Sequence, residues 1–217
     1  MDAESQFERS KRFRQRLASA LTLPPIDAVR RGQYAPELSY GRHFGPPLID
    51  MRQGAVLVLF HPSPTDWNVT LTVRTSHLSA HAGQVSFPGG RIEPSETAEQ
   101  AALREYEEEL GSTGVCETIG RLPDVSVYAS NFLVTPVVAI TTDKPLYLPN
   151  ADEVADVIEL PLAALADRSR RGRHEIVRGP LRFGTPHLHI ASRNVWGATW
   201  IILGELWERL RSVELSR

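Results

Sequence analysis

The sequence predicts an α+β fold in which a mixed β-sheet is sandwiched between α-helices. Three observations lead there. Ala55-Val-Leu-Val-Leu-Phe60 is a continuous apolar run of the kind found in strands buried on both faces. A capped, amphipathic helix occupies about 98–110, and strand-like segments then alternate with helical ones to the end of the chain. No internal repeat or low-complexity tract interrupts this order.

Residues 5 to about 22 are charged and helix-prone, with Phe7, Phe13, Leu17 and Leu21 at helical spacings, and Pro24 and Pro25 stop that helix. The stretch 26–50 has no clear period and reads as an arm, so residues 1–50 form an N-terminal helix and arm ahead of a domain over 51–217. After the strand at 55–60, Pro62-Ser-Pro-Thr-Asp66 is turn chemistry and Asn68 to Arg74 alternates as a second strand, which suggests a hairpin. A loop covers 75–96. For the helix that follows, Thr97 is a good N-cap, Gln100 completes a capping box, and Gly111 stands where a left-handed C-cap belongs. Strands are expected at 115–121, 132–141 and 154–160, the last running into a short helix through Ala166. The Arg- and Gly-rich segment 168–185 reads as loop, 186–190 as a strand, and 197–213 as a closing helix with Ile201, Ile202, Leu206 and Leu210 on one side.

Composition narrows the functional class. Of 217 residues, 41% are hydrophobic and 23% charged, the mix of a soluble globular protein. Lys plus Arg total 24 against 26 Asp plus Glu, so bulk charge points to neither nucleic acid nor a membrane. No apolar run approaches the roughly 20 residues that cross a bilayer. The N-terminus has no cationic stretch followed by an apolar one, and a cytoplasmic location is expected. The single cysteine, Cys116, excludes an internal disulfide and reads as a buried thiol in a strand.

The chemistry concentrates in Gly90-Arg-Ile-Glu-Pro-Ser-Glu96 and Arg104-Glu-Tyr-Glu-Glu-Glu-Leu-Gly111. On a helix, Glu105 lies three residues from Glu108 and four from Glu109, so all three carboxylates share one face. Ala102, Tyr106 and Leu110 form the neighbouring apolar stripe that docks the helix on a sheet. Crowded carboxylates raise one another's pKa unless a cation offsets their charge. Mg²⁺, a hard ion that prefers oxygen ligands, does this and keeps waters for substrate phosphates. A solvated acidic helix face is the alternative for any Glu-rich helix.

The complete spacing goes further. Gly90, Glu96, Arg104-Glu105, Glu108-Glu109 and Gly111 fall at the fixed positions of the Nudix box, and the chain resembles Nudix hydrolases. The box usually ends on an aliphatic residue, where this chain has Ser112. The resemblance implies that Glu105 and Glu109 are the principal ligands of Mg²⁺ (or Mn²⁺), with Glu108 a further ligand or base. Arg104 would orient a glutamate, Glu96 would support the loop–helix junction, and Gly89 or Gly90 would let backbone approach metal or phosphate. Upstream, Leu71, Thr72, Arg74, Gly83 and Phe87-Pro88-Gly89-Gly90 resemble the segment that precedes the box in coenzyme A pyrophosphatases, which implies Arg74, Gly83, Phe87, Pro88, Gly89 and Gly90 as substrate contacts. Thr70 and Thr75 are mild departures from that segment, and Ser79 stands where it has a second Arg. Ser130–Pro136, Glu153–Pro161 and Asn194-Val-Trp-Gly-Ala-Thr199 extend the resemblance over about 50–210.

Individual residues keep two readings. Arg74 is a phosphate fork or a strand-end surface residue, and Glu153 is a catalytic base or a surface carboxylate. His77 and His81 stabilise a loop or touch substrate; they lack the further ligands of a zinc site. The run Asp167–His174 is a solvated basic loop or lies near a substrate phosphate, and Trp196 and Trp200 are core or dimer contacts rather than a stacking platform. The expected activity is Mg²⁺-dependent hydrolysis of coenzyme A or an acyl derivative to 3′,5′-ADP and a 4′-phosphopantetheine species. The alternatives are a pyrophosphatase for ADP-ribose or a dinucleotide, and a Nudix-like module that binds a nucleotide without turnover. The partner is a small-molecule nucleotide, and a homodimer is left open.

Overall fold

The computed structural model describes residues 3–37, 50–64, 66–76, 83–112, 114–178 and 180–215. At its centre runs β1 (Arg52–Pro62), whose side chains alternate between two covered faces. Ala55, Leu57 and Leu59 face one layer; Val58 and Phe60 face the other. β1 pairs antiparallel with β2 (Trp67–Arg74), as the expected hairpin, and parallel with β7 (Phe132–Ile140) from Arg52↔Phe132 to Phe60↔Ile140. The short strands β3 (Val85–Ser86) and β4 (Gly89–Arg91) fall within the expected loop and pair with β2 and β1. β5 (Glu117–Arg121) and β6 (Val125–Val127) both pair with β7, and β8 (Val154–Pro161) pairs with β2. The result is the expected mixed sheet, with eight strands among the described residues.

One face of the sheet is covered by α3 (Ala98–Leu110) through Ala98, Ala101, Ala102, Tyr106 and Leu110. The other carries α1 (Ala3–Thr22) and α4 (Ala198–Leu215), whose Phe13, Leu17, Trp200, Ile201, Leu206 and Leu210 fill the larger core. This is the α/β/α sandwich. Phe13 stacks on Trp67 at 4.4 Å between ring centroids, whereas Phe7 at 65% exposed stands outside the stripe it was expected to join.

Three local expectations are corrected. The arm after α1 contains a short helix, α2 (Ala28–Gly32), capped by Asp27, and Tyr34 beyond it is buried; residues 38–49 lie outside those described. The segment 168–185 is not a loop. A 3-10 turn at Arg168–Arg170 leads into β9 (Arg171–Arg178), which pairs with β10 (Leu181–Ile190), and β11 (Arg193–Trp196) completes a second, three-stranded sheet. Cys116 sits just before β5 rather than within a strand, half-buried, and burial pushes its thiol up to about 11, so it is no nucleophile at neutral pH.

α4 also buries charge. Glu205 accepts from Arg209 (2.7 Å), Arg31 (2.8 Å) and the Ile26 amide (3.1 Å), while Arg209 donates to the Leu21 carbonyl (3.2 Å). Glu208 accepts from the Tyr34 hydroxyl at 2.9 Å. These bonds tie α1 and α2 to α4. Removing one partner of a buried pair strands the others, at a typical cost of about 3–5 kcal/mol. Glu205→Leu is therefore expected to destabilise the protein by about 3 kcal/mol or more in urea unfolding; a change within error of zero would show that the network adds nothing.

Candidate active site

The carboxylate helix is fixed at both ends. At its start the Thr97 hydroxyl accepts from the Gln100 amide (3.2 Å) and the Gln100 side chain accepts from the Thr97 amide (2.8 Å), the expected capping box. At its end Gly111 is left-handed (φ 58°), and the Leu110 and Glu109 carbonyls accept from the amides of Leu148 and Asn150, each at 2.8 Å. Ser112, at the box's aliphatic position, is buried behind this cap at 3% exposed.

This placement turns Glu105 and Glu109 toward β4. Glu109 is only 4% exposed and its Oε1 accepts from the Gly89 amide at 3.4 Å. A Cβ on Gly90 would fall 2.3 Å from Oε1 of Glu105, so a side chain there would displace that carboxylate. Gly89, at φ 152°, has the same constraint from the backbone side: a Cβ would meet the Ala55 oxygen at 2.3 Å. Both glycines are held by the register Ala55↔Gly90 and Val56↔Gly89, and Leu57 donates to the Pro88 carbonyl at 2.9 Å.

Arg104 organises the outer rim. Its guanidinium donates to both Glu96 oxygens (2.7 and 3.1 Å), to Glu105 (3.0 Å), to Glu108 (2.9 Å) and to the Arg91 carbonyl (3.0 Å). Three glutamates, where one was expected, are therefore oriented by one fork. Glu96 also accepts from the Glu93 amide at 3.0 Å, which closes the loop–helix junction, and the Arg104 bond holds its carboxyl below the usual range. Glu108 lies outermost, its side chain 58% exposed.

The electrostatics identify what else faces this group. Burial, above all, pushes the Glu109 carboxyl up to about 7; Glu105 and Glu153 add to the rise, while the Gly89 amide and Arg74 oppose it. Glu105 is also raised, first by burial and then by Glu108 and Glu153, against the pull of Arg104. Glu153 thus belongs to the carboxylate group. The Thr75 amide donates to the Glu153 carbonyl (3.0 Å), and the Glu153 amide to the Asn150 carbonyl (3.0 Å), so the segment that caps α3 also delivers Glu153. Arg74, at the end of β2, has a buried Nε with no acceptor among the described residues.

Other expected residues fall as follows. Gly83 donates its amide to the Arg74 carbonyl at 3.1 Å. Phe87, expected to contact substrate, instead has its ring in the larger core at 3% exposed, so its side chain anchors the glycine segment. His77, Ser79 and His81 lie outside the described residues. Trp200 is core at 2% exposed, and Trp196 is half-buried beside His174. One positioning residue was not anticipated: Thr199 at the start of α4 donates to the Val85 carbonyl at 3.1 Å, pinning the helix to the strand that leads into Phe87–Gly90. The Trp-Gly-Ala-Thr motif held that signal.

Among the described residues no three acidic, His or Cys groups already stand at metal-ligand spacing, and Arg104 engages Glu105 and Glu108. The donor set nevertheless suits a hard divalent cation. Its groups are all carboxylate oxygens, mutually repelling and partly desolvated, beside a glycine cradle that keeps side chains away.

A glycine-lined strand facing a helix of paired glutamates and an arginine fork defines a hydrolase of phosphoric anhydrides. The comparisons agree. The NUDIX domain model matches residues 51–178. An uncharacterized Nudix hydrolase NudL from Pectobacterium atrosepticum is 36% identical over 164 residues, covering 74% of this chain and 83% of that one. A protein of the same description from Escherichia coli K12 is 39% identical over 166 residues, covering 73% and 82%. Among solved structures, the Nudix hydrolase RenU from M. smegmatis aligns with a TM-score of 0.51 at 21% identity, over 84% of this chain and 94% of that chain, a likeness of fold. The chain belongs to the Nudix family and is a Nudix hydrolase.

Glu109 gives this site a pH signature. Because folding raises its pKa, the neutral form favours the folded state: that contribution is full below about 4.5 and lost as pH rises through about 7. The loss is on the order of 3 kcal/mol at about 1.4 kcal/mol per pKa unit. Glu109→Gln should flatten this part of the stability–pH curve, measured by chelator-treated urea unfolding from pH 5 to 8; an unchanged slope would remove the assignment.

Proposed function

We propose that this chain hydrolyses the diphosphate bond of coenzyme A or an acyl derivative in a Mg²⁺-dependent reaction, releasing 3′,5′-ADP and 4′-phosphopantetheine or its acyl form. The observation that carries the substrate class is the arrangement of the upstream signature around the carboxylates. Arg74 ends β2 with its electrostatic influence on Glu109, and Gly89 and Gly90 lie against Glu109 and Glu105.

Glu105 and Glu109, with Glu108, would hold Mg²⁺ (or Mn²⁺), which supplies charge neutralisation at the diphosphate and a more acidic water. The chain's own groups do the positioning. Arg104 keeps Glu105 and Glu108 aimed and Glu96 braces Arg104, so a single substitution there would disturb several carboxylates at once. The glycines let the Glu105 carboxylate and the β1 backbone close on β4 without a side chain between. Arg74 is suited to bind a phosphate oxygen. Glu153 or Glu108 takes the proton from the attacking water: Glu153 faces the buried pair, and Glu108 is the exposed member of the Arg104 group.

A second reading, hydrolysis of ADP-ribose or a dinucleotide, is favoured by Ser79, which stands where the coenzyme A segment has a second Arg. A substrate panel separates the two: coenzyme A, acetyl-coenzyme A, ADP-ribose, NADH and diadenosine polyphosphates, each with Mg²⁺ and Mn²⁺. Coenzyme A or its acetyl form should give the highest kcat/KM; much faster turnover of ADP-ribose would overturn the assignment. Chelation should abolish activity and Mg²⁺ restore it. Glu108→Gln and Glu109→Gln should each lower kcat by about 10³-fold or more, equivalent to about 4 kcal/mol. Rates within a few-fold of wild type would remove these residues from the catalytic group.

A further inference from the structure

We propose that the protein carries a second anion site, remote from the carboxylate helix, that takes a phosphate dianion, free or borne by a small molecule. A cavity of about 360 Å³ opens between α2, α4 and the 3-10 turn after β8. Four arginines line it: Arg30 from α2, Arg168 and Arg171 from the turn and the start of β9, and Arg211 from α4. The one carboxylate in its lining, Glu208, already accepts from the Tyr34 hydroxyl (2.9 Å) and from Arg211 (3.1 Å).

The cations are differently committed. Arg171 is positioned by a bond to the Leu165 carbonyl (2.7 Å) and lies 5.7 Å from the Trp200 ring centroid, yet its buried Nε has no acceptor among the described residues. Arg30 pairs with the exposed Asp27 at 3.4 Å. Arg168 has no carboxylate partner among the described residues. Four positive charges stand against Glu208 in the lining and Asp27 at its edge, and the excess positive charge is what a bound anion offsets. Guanidinium forks match the several acceptor oxygens of phosphate better than a single spherical acceptor such as chloride. The cavity exceeds one phosphate group, and the Trp207 ring in its wall offers a surface to whatever the phosphate is attached to.

Two rulers separate this pocket from the hydrolytic site. Along α4, Thr199 touches the strand leading to Gly89–Gly90, and Arg211 follows twelve residues later, about 18 Å at 1.5 Å per residue. Along β8, Val154 adjoins Glu153 and Pro161 is the far end, about 23 Å at 3.3 Å per step, and the pocket follows that end. The proposal does not rest on the identity of the hydrolysed substrate.

The test uses the intact chain in excess EDTA, so that no divalent ion recruits phosphate to the carboxylates. Inorganic phosphate and AMP are titrated while tryptophan fluorescence and Tm are followed. Both probes should give saturable responses. Tighter binding of AMP would assign the Trp207 side to the organic moiety, and equal affinity would assign the site to the free anion. Charge reversal at the two exposed positions, Arg30→Glu with Arg168→Glu, should weaken binding by about tenfold or more, with circular dichroism and hydrolytic rate unchanged. Trp207→Phe should remove the fluorescence response and keep the Tm shift, and Glu105→Gln should bind as wild type. No saturable response, a response retained in the double Arg variant, or one lost in Glu105→Gln would each overturn the site.

Discussion

Holding Glu105 and Glu109 against the sheet, side by side and largely out of water, is the constraint on which the rest of this site depends. Burial raises each carboxyl pKa, and each neighbouring carboxylate raises it further. Three devices offset that cost. Arg104 supplies charge-assisted bonds on the outer side, the Gly89 amide supplies a donor on the inner side, and Arg74 contributes a cation from the end of β2. None would work without the rigid ends of α3, because a slip of one helical residue rotates the carboxylates away from β4 by about 100°.

The sheet serves the same arrangement. β1 pairs with β7 along its length, with β2 at its far end and with β4 near its start, so a single strand sets the height of the glycine cradle relative to the core. On the opposite face, α4 links distant parts of the molecule. Thr199 holds the strand before the cradle, and ten residues on Arg209 holds the last turn of α1.

Much of this was legible in the residue order. Thr97, Gln100 and Gly111 marked α3 at both ends because capping is a local interaction, and the three-and-four spacing put the glutamates on one face. The run at 55–60 identified the central strand because both of its faces are covered. What escaped reading was tertiary in origin. β4 is three residues, Gly-Gly-Arg, with little strand propensity, and exists because β1 supplies its partner. β9 is Arg- and Gly-rich and takes its form from β10, although Gly179-Pro180 between the two runs was a turn signal. Phe87 sits in a substrate-like motif, but its ring turns into the core. Glu205 and Arg209 look like the wet side of a helix and are buried, because α1 and α2 cover them.

That covering has a consequence for how the molecule is assembled. α1 is the earliest described segment and α4 the last, yet they pack on each other and share the buried charge network through Arg209, Leu21 and Glu205. During synthesis Phe13 meets Phe60 and Trp67 about fifty residues on, whereas the Leu21 carbonyl waits for Arg209, the far longer separation. The face of the sheet carrying Glu105 can close earlier, since α3 docks on β1 within some fifty residues of it. Such distant pairing is a slow step in folding, and it makes the charged seam between α1 and α4 the last part of the structure to be sealed.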